Sequence, residues 1–315
     1  MIRISRTTII VSAVVLFVYV CLLSILPPSS LAPATVAHVE SGMGTYATAR
    51  SLKEAGVIRS SFVFHVFVKV FGGERSLKAG DYLIDTPTNV ISLARRMVNG
   101  EYGFVARKVT FPEGTSVHEM ADILSRELIG FNKEAFVAEA SSEEGYLFPD
   151  TYLFMPTATS GEVIAKMSST FEERIKEINQ SIAAFNKPLK DIITMASILE
   201  EEGNDEKSRR IISGILWKRI ALGMPLQVDA PFVYLIDKGS AELTKADLKL
   251  DSPYNTYKYK GLPQGPITNP GLDAILATVT PERSPYLYFL TDNDGVMHYS
   301  KTYEEHLALQ KKYLK

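Results

Sequence analysis

Three consecutive glutamates, Glu200, Glu201 and Glu202, close the stretch LKDIITMASILEEEG at residues 189–203. The apolar residues Ile192, Ile193, Met195, Ala196 and Leu199 recur at helical spacing, which predicts a core-facing helix over Leu189–Glu202. At about 100° per residue, Glu200 projects between the directions of Ile193 and Ala196, inside the apolar stripe. Glu201 then points to the opposite, solvent side, and Glu202 lies at the edge of the stripe beside Met195. A carboxyl taken out of water has its pKa raised, and an acid that stays protonated near neutrality is what general-acid chemistry requires. An acidic run solvating a helix end, stopped by Gly203, is the simpler account of the same residues. It leaves unexplained why acids gather at the negative end of a helix dipole.

Such a helix needs packing partners and a surface for substrate. Helical patterns run over Ser160–Phe185 before it and Asp205–Ala221 after it, the latter with Asp205 as N-cap and Gly223 near its end. From Met224 to Gly271 the character changes. Pro253, Pro263, Pro266 and Pro270 stiffen a loop rich in Gly, Asn and Tyr, and a long irregular loop in a compact domain is usually functional. Tyr254, Tyr257 and Tyr259 offer flat faces with hydroxyls, suited to stacking on and hydrogen-bonding a polar ring; a surface loop without ligand fits them too. Beyond it come a helix at Ala274–Val279, a hairpin of Tyr286–Leu290 with Val296–Tyr299, and a last amphipathic helix. The hairpin turn Asp292-Asn293-Asp294-Gly295 lacks the spacing and terminal Glu of an EF-hand. Trp217, the lone tryptophan, reads as core.

Upstream, Thr35–Glu40 alternates as a strand and Thr45–Gly56 reads as a helix. Phe62–Phe71 (FVFHVFVKVF) is aromatic and β-branched all round, which predicts burial on every side, with His65 a satisfied core residue. Leu77–Leu124 holds a weak repeat in which Thr88–Ala94 (TNVISLA) is echoed by Thr115–Ala121 (TSVHEMA). Each copy reads as a capped amphipathic helix after a strand, Gly80–Ile84 and Val105–Phe111. Asn132–Ala140 reads as another helix, and the aromatic-rich GYLFPDTYLF at Gly145–Phe154 as a domain junction.

Composition narrows the function. Lys and Arg total 34 against 36 Asp and Glu, a net of −2, which gives no footprint for nucleic acid. The five histidines, His38, His65, His118, His298 and His306, form no metal-binding pair, so no metal is expected. Thr8–Leu26 is almost wholly apolar, is preceded by Arg3 and Arg6, and ends at Pro27-Pro28. That run is expected to span a bilayer as a retained anchor with a cytoplasmic N-terminus. A cleaved signal peptide with its site at Ala32-Pro33-Ala34 is the rival reading. Cys21, the only cysteine, lies within that run, so the remainder has no thiol for disulfides or nucleophilic catalysis.

Six motifs then occur in order: GYLFPDTYLF at Gly145–Phe154, MASILEEE at Met195–Glu202, MPLQVDA at Met224–Ala230, SPYNTY at Ser252–Tyr257, GLPQGPITNPG at Gly261–Gly271 and PYLYFL at Pro285–Leu290. In these the chain resembles the endolytic murein transglycosylase (YceG-like) family. The resemblance implies an α+β protein of five parts: a cytoplasmic stub (1–7), a transmembrane anchor (8–26), a linker (27–35), a small LysM-like α+β module (36–140), and a mainly helical catalytic domain (141–315) with a Pro/Tyr-rich loop and a hairpin. It implies a bacterial plasma-membrane lyase, its catalytic domain extracytoplasmic, that cuts peptidoglycan strands internally between N-acetylmuramic acid and N-acetylglucosamine, leaving 1,6-anhydro ends. The family's essential glutamate falls on Glu200, and Glu202 matches its second acidic position as a helper. Glu201 stands where the family often has Lys or Arg, and Val228-Asp229-Ala230 where it often has Thr-Asp-Pro. A glycan polymerase or transpeptidase is the partner so implied.

On that reading Glu200 donates a proton to the leaving oxygen, then takes one from the sugar's own C6 hydroxyl as it closes on C1, with no cofactor. Gln227 and Asn255 are candidates for holding the sugar amides or developing charge, and Tyr254 and Tyr257 for stacking. Two alternatives stand beside it. One is a glycan hydrolase that pairs Glu200 with Glu202 or Asp229. The other is a non-catalytic peptidoglycan-binding scaffold.

Overall fold

The computed structural model describes residues 6–28, 35–40, 42–73, 76–236, 238 and 242–314. The chain is α+β and divides into two compact units, Met1–Val105 and Ala106–Lys315.

The first unit holds α1 (Arg6–Ile25), β1 (Thr35–Val39), α2 (Thr45–Glu54), α3 (Ser61–Phe71), β2 (Gly80–Ile84) and α4 (Val90–Asn99). β1 and β2 pair antiparallel, from Thr35 opposite Ile84 to Val39 opposite Gly80. Leu52, Phe64, Val68, Tyr82, Leu93 and Met97 make the core. The all-apolar run in α3 is not buried all round. Only Phe64, His65 and Val68 are, one helix face, while Phe62 and Val70 are exposed. His65 is satisfied by Thr45 Oγ1, 3.0 Å away.

The expected transmembrane anchor is corrected by the structure: among the described residues no helix is long and apolar enough to cross a membrane. The apolar run does fold as α1, but its last turn is an element of the unit. Ile25 packs against the core that includes Leu93 and Met97, and the Ser24 hydroxyl bonds back to the Val20 carbonyl. The stub at 1–5, the linker residues 29–34 and the Ala32–Ala34 cleavage motif lie outside the described residues.

The second unit runs β3 (Arg107–Thr110), α5 (Val117–Glu127), α6 (Lys133–Ala140), β4 (Thr151–Phe154), α7 (Ser160–Glu177), α8 (Asn179–Phe185), α9 (Leu189–Glu202), α10 (Glu206–Ala221), α11 (Ala230–Ile236), α12 (Leu272–Val279), β5 (Tyr288–Thr291), β6 (Met297–Ser300) and α13 (Tyr303–Tyr313). β3 pairs antiparallel with β4, and β5 with β6. The two copies of the sequence repeat are α4 and α5, capped by Asn89 and by a Ser116–Glu119 capping box. They fall in different units.

α9 is the axis of the second unit. Every residue from Ile192 to Leu199 is buried. Met195, Ile198 and Leu199 pack toward Ile212, Leu216, Leu226 and Ile267. Ile192, Ile193 and Ala196 pack toward Phe171, Ile275 and Val279 on the other side. Ser197 is buried because it is used: its hydroxyl donates to the Thr194 carbonyl and accepts the Ile267 N–H. A helix enclosed from Ile192 to Leu199 brings the next residue, Glu200, to a spot walled by protein.

Candidate active site

Glu200 comes out of α9 with its side chain only 5 % exposed. Oε1 accepts from Arg209 Nη2 and is ion-paired with it; that arginine side chain is itself 14 % exposed. Oε2 accepts the Gly271 N–H at 2.8 Å, at the start of α12, where the helix dipole favours negative charge. The close turn Gly203–Asp205 folds α10 back beside α9, and Arg209 rides on its first turns. Glu113, in the β3–α5 connection, reaches the same spot, since a Cβ on Gly271 would collide with its carboxyl. Gly114 is equally close: a Cβ there would lie 2.6 Å from Glu201 Oε1 and 3.4 Å from Glu200 Cγ.

The net effect raises the Glu200 pKa above the usual carboxylate range. Burial is the largest cause; the Gly271 N–H and Arg209 pull it back, and Glu113 and Asp273 add to the rise. The ion pair is therefore weak evidence for stability, because desolvating both groups offsets much of their attraction. It is better evidence of a group kept in a chosen state.

The three glutamates part company. Glu202 faces a cavity of about 430 Å³ with Gln227, Asp229, Tyr257, Tyr288, Tyr303 and His306 along its wall. It is pushed up to about 7 by burial and then by the Asp229 charge. Asp229 also accepts the Tyr257 hydroxyl at 2.5 Å. Glu201 is exposed along one side and lines a separate groove with Ser116, His118, Glu119 and Tyr234. Its wall, Glu200 and Glu119 push its pKa up as well.

Three loop candidates are engaged within the protein. Asn255 is buried and its side chain makes four bonds, donating to the Leu248 and Leu250 carbonyls and accepting the Tyr257 and Lys258 N–H groups. Tyr254 packs on Tyr234, ring centres 5.2 Å apart. Gln227 has a left-handed backbone (φ 51°), unusual for a non-glycine, and its N–H donates to the Thr256 carbonyl. Its side chain is on the cavity wall with Glu202, Asp229 and Tyr257, so the structure unites these four and sets Glu200 apart from them. The Met224–Gly271 segment is also less irregular than expected, containing α11. Trp217 is only part-buried, packed against the core, with its Nε1–H donating to the Thr278 carbonyl.

A profile of the YceG-like family matches residues 37–312. The chain belongs to that family. A Bacillus subtilis (strain 168) protein named endolytic murein transglycosylase is 30% identical, over 88% of this chain and 84% of the relative. A Streptococcus pneumoniae (strain D39) protein of the same name is 27% identical over 81% of this chain, which spans only 54% of that relative. A crystal structure of a YceG-like protein from Listeria monocytogenes aligns at 29% identity with a TM-score of 0.59, covering 87% of this chain and 98% of its own. The family read from six motifs is thus the one the comparisons show.

Within this YceG-like chain, sequence reasoning passed over Arg209, Glu113, Glu144 and Asn269. Arg209 had a signal: a connection as short as Gly203–Asp205 brings the first turns of the next helix beside Glu200. Glu113 had none, since it arrives from 87 residues upstream (200 − 113 = 87). Asn269 is fully buried and donates to Thr115 O and Glu144 Oε1 while accepting the Gly145 and Leu147 N–H groups. It sets the loop whose Gly271 meets Glu200. Among the described residues no group of three or more His, Cys, Asp or Glu is placed to hold a metal ion.

Proposed function

We propose that this protein is an endolytic murein lytic transglycosylase, a lyase acting on peptidoglycan strands, with Glu200 as its single general acid and base. The observation that carries this reading is one buried carboxyl with a raised pKa, fixed through both oxygens by Arg209 and Gly271. The protonated acid donates to the oxygen leaving C1 of N-acetylmuramic acid, and the carboxylate then accepts the C6 hydroxyl proton as that oxygen closes on C1. The glycosidic bond breaks and an intramolecular one forms, so no water is consumed. The tethered nucleophile supplies much of the advantage. The names of the Bacillus and Streptococcus relatives support the substrate class. The first unit, with its strand–helix–helix–strand order and an exposed Tyr46 beside a surface hollow, is proposed to hold glycan.

Glu200→Gln keeps the shape but has no proton to transfer. It is expected to lose about 10²–10⁴-fold in cleavage of purified glycan while its thermal unfolding stays near wild type. Turnover close to wild type would reject the assignment. A second reading, a two-carboxylate hydrolase, is favoured by Glu202 and Asp229 sharing one cavity. Mass spectrometry of the products separates the two: 1,6-anhydro ends mean lyase, reducing ends with added water mean hydrolase. Binding without any soluble product would mean a scaffold.

A further inference from the structure

Gly203 was read as the stop of the Glu200 helix, but its backbone does not need glycine. Its φ of −116° and ψ of 126° are extended values open to any residue. What excludes a side chain is Arg209: a Cβ on Gly203 would come within 2.5 Å of Arg209 Cγ and 3.1 Å of its Cα. The arginine is laid across the glycine and tied there, its Nε–H donating to the Gly203 carbonyl at 3.1 Å. With Nε so anchored, Nη2 is left on Glu200 Oε1.

We propose that Arg209, seated against Gly203, is a positioning residue that steadies Glu200 as a carboxylate between its two proton transfers and so returns it to use as a base. This rests on the reading of Glu200 as the acid and base. Burial alone gives a good acid that is reluctant to ionise, which suits the first transfer and hinders the second. Arg209 from α10 and the Gly271 N–H from the start of α12 favour the ionised form, while Glu113 from the β3–α5 connection, Asp273 in α12 and Glu201 on α9 oppose it. Among the described groups around Glu200, Arg209 is the cation that sets the balance. Its Nε–H is held by Gly203 and its Nη2 by Glu200, so its part is played through Glu200.

Four variants test this: Arg209→Gln, Arg209→Lys, Gly203→Ala, and Gly203→Ala with Arg209→Gln, each checked for folding by thermal unfolding. The readout is kcat and KM on purified glycan strands across pH. Cleavage needs protonated Glu200, so the rate falls as pH rises through its pKa. Arg209→Gln is expected to lower kcat about tenfold to a hundredfold with little change in KM. It is also expected to move that high-pH limb upward, because the cation that favours ionisation is gone. Arg209→Lys should restore part of both. Gly203→Ala keeps every charged group and should reproduce the effect, the double variant being no worse than Arg209→Gln alone. Should Arg209→Gln not fold, Gly203→Ala reads the same limb by itself. A limb left at its wild-type position, or losses that simply multiply, would overturn the proposal. Should Glu200→Gln be as active as wild type, the reading of Glu200 fails first; should it be inactive while the limb stays put, only the role of Arg209 fails.

Discussion

Glu144 shows what a buried carboxyl does when it is built into the frame. It is buried, takes the Val117 N–H and the Asn269 amide, and is pushed up to about 8 from 4.5, chiefly by burial. The folded state therefore holds this proton at pH values where the unfolded chain has released it. Stability from this group is complete below about 4.5 and declines as pH climbs from there to about 8. Glu144→Gln mimics the neutral acid, so it is expected to flatten that decline: Tm near wild type at pH 5 and higher than wild type at pH 8, read by calorimetry. An unchanged pH slope in the variant would mean that Glu144 is already ionised in the fold. Although Asn269 lies in the motif GLPQGPITNPG, neither it nor Glu144 was singled out in the sequence, because no local pattern marks their pairing. The bond between them spans 125 residues.

Helices were far more legible than the contacts between them. Capping residues announced the starts of α4, α5 and α10, and their hydrogen bonds are present in the fold. The facing of Glu200 inside the stripe of α9 was also read correctly, because a helical wheel depends on nothing outside the helix. What failed was any inference about what surrounds an element. α3 looked buried all round and is half exposed; α9 looked one-sided and is enclosed. Apolar content says how much surface an element can hide, and only its neighbours decide how much is hidden. α10 offers the test at this scale. Asp205 caps it with a capping box, accepting the Ser208 N–H at 3.0 Å, and holds the turns that carry Arg209. Asp205→Ala is expected to cost about 1 kcal/mol by chemical denaturation, with a fall in kcat that a surface cap elsewhere, such as Asn132 on α6, does not share.

At the scale of the molecule, each unit has a core of its own. Heating is therefore expected to give two transitions. Leu93→Ala, in the buried centre of the first, should lower one of them by an amount equivalent to about 2–5 kcal/mol and leave the other in place. A single transition that shifts as a whole would show the units unfolding together. The division at Val105–Ala106 was not visible in the sequence, where the two repeat copies ran on as one module; similar helices can be stacked in different cores.

Asn269 joins residues up to 154 positions earlier, and Glu200 waits for the N–H of Gly271, 71 positions later. A chain emerging from the ribosome can form α9 long before either residue exists. Its Glu200 then lacks half of its clamp until Gly271 has been made. Loop closures this long come late in folding, after local helices have formed. On the proposed reading of Glu200 as acid and base, the polypeptide gains its competence only when the segment carrying Gly271 folds back onto α9.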